Sequence, residues 1–248
     1  VNTWRLIPLI SASGAFHMAV DEWLLEQHRH GHQPSVLRFY QWEPAALSLG
    51  YHQRQIPDGW RNVKWQGRSL DLVRRPSGGR AVLHQGDLTY AIITSDLPGR
   101  RREIYQTLSA FLVEGWRSLG VPLFFGKTGR GYIHNPSCFG TATDADLVTA
   151  DGYKFIGSAQ LYRGKALLQH GSMRLAQDSD LFYKVFGDRQ ASLAPSIPTS
   201  IETIVSTLTQ TARLHLGADF VVTPLTADEY RAIAEFQQQK VKAPIVLS

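Results

Sequence analysis

One cysteine, Cys138, is all that the 248 residues contain. An intrachain disulfide is therefore excluded, and so is a zinc site built on cysteine pairs. Long apolar runs are missing as well: none approaches the ~18 residues that a membrane-spanning helix needs. The start, Val1-Asn2-Thr3-Trp4-Arg5, lacks the basic-then-apolar order of a signal peptide. His52, His84 and His134 are scattered without metal-ligand spacing. The glycine-rich segment from Arg74 to His84 is neither a G-x-x-x-x-G-K-[ST] loop nor a G-x-G-x-x-G turn, so a standard nucleotide site is not indicated. A cytoplasmic enzyme without metal or cofactor is the expectation.

What is present has ordinary globular proportions, with 43% hydrophobic and 19% charged residues and length enough for one large domain with a full core. The net charge of +5 favours acidic partners. Arginines and lysines are dispersed and no binding motif is found, so neither nucleic acid nor membrane is expected as a partner. The densest basic run, Arg100-Arg101-Arg102, reads as a solvated loop before a helix or as a docking patch for an acidic protein.

Apolar periodicity predicts a helix over 14–30 with Ser13 as its N-cap, and further helices over 102–119, 178–186, 201–216 and 226–240. Strands are expected at Val36–Tyr40, Ala46–Leu49, Asp71–Arg74, Ala81–His84 and Leu88–Thr94. Asp151-Gly152 and Arg163-Gly164 are hairpin signals that join Leu147–Thr149, Lys154–Leu161 and Ala166–Met173. No repeat, low-complexity tract or linker interrupts the chain. The expectation is one α+β domain over 1–248, mixed sheets flanked by helices, with a helical C-terminal end at about 201–240.

Cys138 lies in the turn-rich stretch Asn135-Pro136-Ser137-Cys138-Phe139-Gly140. Two readings stand: a small buried hydrophobe or a nucleophile on a loop. The second needs thiolate. A thiol of pKa near 8.5 is about 3% ionised at pH 7, and an ammonium that lowers the pKa by about two units raises this to roughly 75%. Lys154 is the candidate ammonium, or else a solvated strand lysine. Strict alternation places it on one face with Ile156, Ser158 and Gln160, and Gly157 leaves room for a ligand or another backbone. Arg74–His84 reads as strand, Gly-Gly turn, strand: a hairpin, or a loop in which glycine backbone approaches a ligand and the flanking arginines bind a carboxylate or phosphate. His170, in Gln169-His170-Gly171-Ser172, closes a predicted strand.

Read together, these segments resemble the lipoate–protein ligase and octanoyltransferase superfamily, which is related in fold to biotin–protein ligases. Phe16-His17-Met18-Ala19-Val20-Asp21-Glu22 looks like its first-helix signature. Leu37–Trp42 and Leu47–Gln53 are similar to its next strands, Arg74–His84 to its substrate loop, and Lys154–Gln160 to the strand bearing its lysine. Gly78-Gly79-Arg80, Ser137-Cys138-Phe139 and Leu168-Gln169-His170-Gly171-Ser172 are similar to the cysteine-dependent octanoyltransferase branch, whereas ATP-dependent ligases usually carry a third glycine where Arg80 stands. The residues from Phe139 to Asp146 depart from the family's usual sequence.

The resemblance implies an octanoyltransferase of lipoate cofactor biosynthesis. Octanoyl-acyl-carrier-protein would be the donor, Cys138 the nucleophile, Lys154 its partner, and a lysine of a lipoyl domain or glycine-cleavage H protein the acceptor. Arg75, Gly78, Gly79, His84, Gly157, His170 and Gly171 would line the acyl pocket. An ATP-dependent lipoate–protein ligase is the alternative enzyme, and a non-catalytic protein that binds acylated carriers is the other class.

Overall fold

Ser13 both ends the first strand and starts the first helix: its side chain accepts a hydrogen bond from the Phe16 amide at 3.3 Å, as a serine N-cap does. The computed structural model describes residues 2–126, 146–187, 195 and 197–242. In chain order the elements are β1 (Thr3–Ala12), α1 (Gly14–Arg29), β2 (Val36–Trp42), β3 (Ala46–Leu49), a 3-10 turn (Asp58–Asn62), β4 (Lys64–Trp65), β5 (Arg68–Ser69), β6 (Asp71–Arg74), β7 (Val82–His84) and β8 (Asp87–Ser95). Then come α2 (Arg101–Ser118), β9 (Phe124–Phe125), β10 (Asp146–Val148), β11 (Lys154–Arg163), β12 (Ala166–Arg174), α3 (Ser179–Phe186), α4 (Ile201–Leu216), β13 (Asp219–Val222) and α5 (Ala227–Lys242).

The main sheet runs β13-β1-β2-β8-β12-β11-β10-β9. One face carries α2 and α4, whose Leu108, Phe111, Trp116 and Leu208 pack with Phe39, Tyr90, Phe155 and Ile156. The other carries α1 and α5, where Met18, Leu24 and Ile233 meet Tyr40, Ala91 and Leu168. Covered on both sides, the central strands β8 and β12 are buried almost throughout, so their polar residues, such as Asp87, Gln169, His170 and Ser172, are held by hydrogen bonds inside the protein. Gly115 marks where α2 meets α4, since a Cβ there would lie 2.6 Å from Leu208.

The α+β expectation and the helix positions hold, as do the hairpins at Asp151-Gly152 and Arg163-Gly164, both with the glycine at positive φ. Two terminal strands were not anticipated. β1 lacks clean alternation, and β13 interrupts the expected all-helical end to pair in parallel with β1. A hairpin over Arg74–His84 is corrected as well. β6 and β7 do not pair with each other; β3 lies between them, parallel to β6 and antiparallel to β7. The Ser77-Gly78-Gly79 segment therefore steps over the end of β3, and Gly50, just past that end, meets it. This small sheet packs on α3 through Leu47, Leu83, Leu181 and Phe182.

Candidate functional site

A cavity of about 280 Å³ opens between the α1 face of the main sheet and the loop that steps over β3. The expected pocket residues Arg75, Gly78, Gly79, His84, Gly157, His170 and Gly171 all line it, and so does Lys154, the expected partner of Cys138. Met18 comes from α1, Tyr40 and Trp42 from β2. Cys138 lies outside the described residues. Gly171 contributes backbone alone, because a Cβ there would run into Ser158 Oγ at 2.2 Å and Tyr90 at 2.7 Å.

Lys154 reaches the cavity through a break in strand register. Leu147 pairs with Ile156, but the next residue, Val148, pairs with Lys154, so β11 has one residue more than β10 at this point. Such a bulge reverses the alternation. Phe155 and Ile156 thus both enter the α2-side core, and Lys154 is turned to the face of Gly157 and Ala159 rather than that of Ile156, Ser158 and Gln160 as strict alternation predicts. There its Nζ lies 2.8 Å from Asp146 Oδ1, with both side chains only 4% exposed.

Two buried polar chains hold the remaining wall. In the first, the Arg38 guanidinium and the Tyr40 hydroxyl each donate to the Asp21 carboxylate at 2.9 Å. His170 donates from Nδ1 to the same carboxylate at 2.9 Å, and its Nε2 lies 2.5 Å from Ser77 Oγ. Helix α1 is thereby tied to β12 and on to the Gly-Gly loop. Burial alone would raise the Asp21 pKa, but Arg38, His170 and Tyr40 together hold it below the usual carboxylate value. Arg38 also donates to Nδ1 of His17, leaving Nε2–H to donate to the Gln41 carbonyl. Burial first, and then Arg38, lower the His17 pKa to about 3, so this ring is neutral.

In the second chain Arg75 donates to the carbonyl and the hydroxyl of Ser48, each at 2.7 Å, and also to the carbonyls of Gly78 and Arg80. The Ser48 hydroxyl then donates to His84 Nε2 at 2.7 Å, and His84 Nδ1–H to Asp87 at 2.8 Å. Asp87 accepts from Ser172 as well, at 2.6 Å. Burial lowers the His84 pKa against the pull of Asp87, which agrees with a neutral ring that accepts at Nε2. Trp42 stacks on that ring at 3.7 Å and donates from its indole to Thr89 at 2.8 Å. The wall presented to a ligand therefore joins aromatic and hydroxyl groups to the paired charges of Arg75, Asp146 and Lys154, while Asp21, Arg38 and Asp87 stand behind it.

Sequence reasoning missed Asp21, Arg38, Ser48, Ser77, Asp87 and Asp146. A signal did exist for Asp21: it falls among Met18, Leu24 and Leu25 on the apolar side of α1, where an acid is stable only if paired.

A mixed sheet that presents a buried lysine opposite a glycine-rich crossover loop, over a cavity of this size, has the make-up of a small-molecule site. The chain belongs to the lipoyl protein ligase A/B catalytic-domain family, whose model matches residues 13–228. Curated relatives include the octanoyltransferase LipM of Kyrpidia tusciae, 34% identical over 92% of this chain and 93% of that protein. LipM of Bacillus subtilis is 38% identical over 75% of this chain and 70% of its own length. Solved structures with the same fold include a Thermoplasma acidophilum protein with bound lipoic acid, at a TM-score of 0.79 and 21% identity over 96% of this chain and 95% of that one. Lipoate-protein ligase A bound with ATP superposes at 0.78, with 22% identity over 98% and 97% of the two chains. No helix among the described residues is long and apolar enough to cross a membrane.

Proposed function

We propose that this chain is an octanoyltransferase of lipoate biosynthesis that works in the cytoplasm by two-step acyl transfer. The Cys138 thiolate attacks the thioester of octanoyl-acyl-carrier-protein. A new C–S bond forms, the carrier's C–S bond breaks, and the carrier thiolate leaves and takes up a proton. A neutral lysine amine of a lipoyl domain or glycine-cleavage H protein then attacks the enzyme thioester: C–N forms, C–S breaks, and the amine proton returns with the thiol. A thioester is exchanged for an amide, which is downhill, so no ATP enters. The covalent intermediate lets two large carriers use one site in turn.

The observation that carries this reading is the convergence of Lys154, Arg75, Gly78, Gly79, His84, Gly157, His170 and Gly171 from four separate segments on one cavity. The curated relatives named octanoyltransferase support the acyl group and the reaction type. In this reading Lys154 favours the thiolate and orients the thioester carbonyl, Trp42 and His84 form a flat wall for the acyl chain, and the Gly78-Gly79 backbone closes it.

Intact-mass measurement after mixing with octanoyl-acyl-carrier-protein tests the proposal. An octanoyl adduct that forms without ATP and is absent in Cys138→Ala is the expected result. Near-normal transfer by Cys138→Ala would overturn the acyl-enzyme, and transfer that requires ATP without a thiol adduct would select the ligase. An inert protein that still binds the carrier would leave only a binding role.

A further inference from the structure

The Asp146–Lys154 pair has a feature that neither residue alone would give. A carboxylate in a cavity where a thioester carbonyl gains negative charge is unfavourable if it faces that charge. Asp146 does not act on the cavity alone: its Oδ1 lies 2.8 Å from Lys154 Nζ, and the two residues are 3% and 5% exposed. Register explains the pairing. Asp146 sits opposite Gly157, which has no side chain, and the extra residue in β11 turns Lys154 to that same face. A lysine stem has four rotatable bonds and a compact ammonium head, so it is a poor positioning device unless something fixes the head. Asp146 also opens β10, the first described element after Cys138 in the chain.

We propose that Asp146 is a positioning residue for acyl transfer: its carboxylate fixes the Lys154 ammonium at the cavity wall. The proposal rests on the reading of Lys154 as a participant in the chemistry. Asp146→Asn preserves shape but removes the charge, Asp146→Glu restores the charge one methylene further out, and Lys154→Ala removes the group being positioned.

Single-turnover acylation by octanoyl-acyl-carrier-protein, read by intact mass, measures each variant with its half-saturating donor concentration. Misplacement of a reacting group by about 1 Å can lower a rate by on the order of a hundredfold. Asp146→Asn should therefore acylate roughly ten- to a hundredfold more slowly, with the half-saturating donor concentration within about twofold of the parent. Asp146→Glu should recover much of that loss. Asp146→Asn combined with Lys154→Ala should be no slower than Lys154→Ala alone, because the two would act through one group. Additive losses, a change confined to donor affinity, or an Asp146→Asn enzyme as fast as the parent would each overturn the proposal. If Lys154→Ala also acylates at the parent rate, the assignment of Lys154 fails first, and the two failures are thereby told apart.

Discussion

Gly50 and Gly79 stand so close that a Cβ built on Gly50 would lie 1.7 Å from the Gly79 carbonyl oxygen. The contact follows from the crossover: β6 and β7 flank β3, so the loop between them must pass over the end of β3. Arg74 holds the Gly50 side of this crossing through the carbonyls of Gly50 and Gln53, both at 2.8 Å. A methyl group at Gly50 can be placed only by moving backbone. Gly50→Ala should destabilise the protein by about 1–3 kcal/mol and weaken donor binding, because the displaced loop lines the cavity. Gly78→Ala meets nothing within 4 Å and should stay within about 0.5 kcal/mol of the parent. Chemical denaturation of the two variants checks the contrast, which equal stabilities would contradict.

Asp21 is the hub of the first polar chain, and Arg38 beside it is fully buried. Asp21→Ala leaves that guanidinium without its carboxylate, which typically costs about 3–5 kcal/mol. For a chain of this size the melting temperature should fall by roughly 10 °C. Asp21→Asn should lose less, since it keeps the shape and one acceptor oxygen. Thermal unfolding of both variants measures the difference.

Acid should act through the buried neutral histidines before it reaches the carboxylates. His17 has a folded pKa of about 3 against 6.5 for the free group. Between these values the unfolded chain binds a proton that the folded chain does not, so stability is full above pH 6.5 and falls as the pH drops towards 3. The slope from this one group is up to about 1.4 kcal/mol per pH unit. His84, lowered in the same direction by burial, adds to the fall below its unperturbed value. His17→Gln should flatten the dependence by one proton. Denaturation midpoints from pH 7 to pH 4 test this, and an unaltered slope in His17→Gln would contradict it.

Acyl length should be read only coarsely by a cavity of this kind. A hexanoyl donor buries two fewer methylenes and should lose about 1.6 kcal/mol, roughly fifteenfold in specificity constant. Much longer chains should fail more sharply, because a packed wall does not yield cheaply. A donor series from about six to sixteen carbons, measured as single-turnover acylation, should peak at medium length; a flat profile or a maximum at the long end would remove the medium-chain assignment.

The elements that the sequence made legible were those set by local chemistry. Ser13 announced α1, Asp151-Gly152 a turn, and the apolar stripe of Ile104, Leu108, Phe111 and Leu112 the buried face of α2. The residues that the motifs singled out and that are described line one cavity. What stayed hidden depended on contacts between distant segments. No local pattern says that β3 inserts between β6 and β7, or that one added residue in β11 turns Lys154 round. The buried acids were hidden for the same reason: the partners of Asp21 come from β2 and β12, and that of Asp146 from across a hairpin.

The chain from Arg75 through Ser48 and His84 to Asp87 has one further consequence. Each hydrogen bond in it points the same way, because the guanidinium can only donate and the carboxylate can only accept. The two neutral links between them have no freedom to choose an orientation, and so they act as a polarity ratchet. Arg75 also grips the carbonyls of Gly78 and Arg80, so the posture of the glycine loop and the charge of Asp87, at the root of β8, are two ends of one lever. A change at Asp87 would be felt as a change in how the lid of the cavity sits, although neither that residue nor Ser48 lines the cavity.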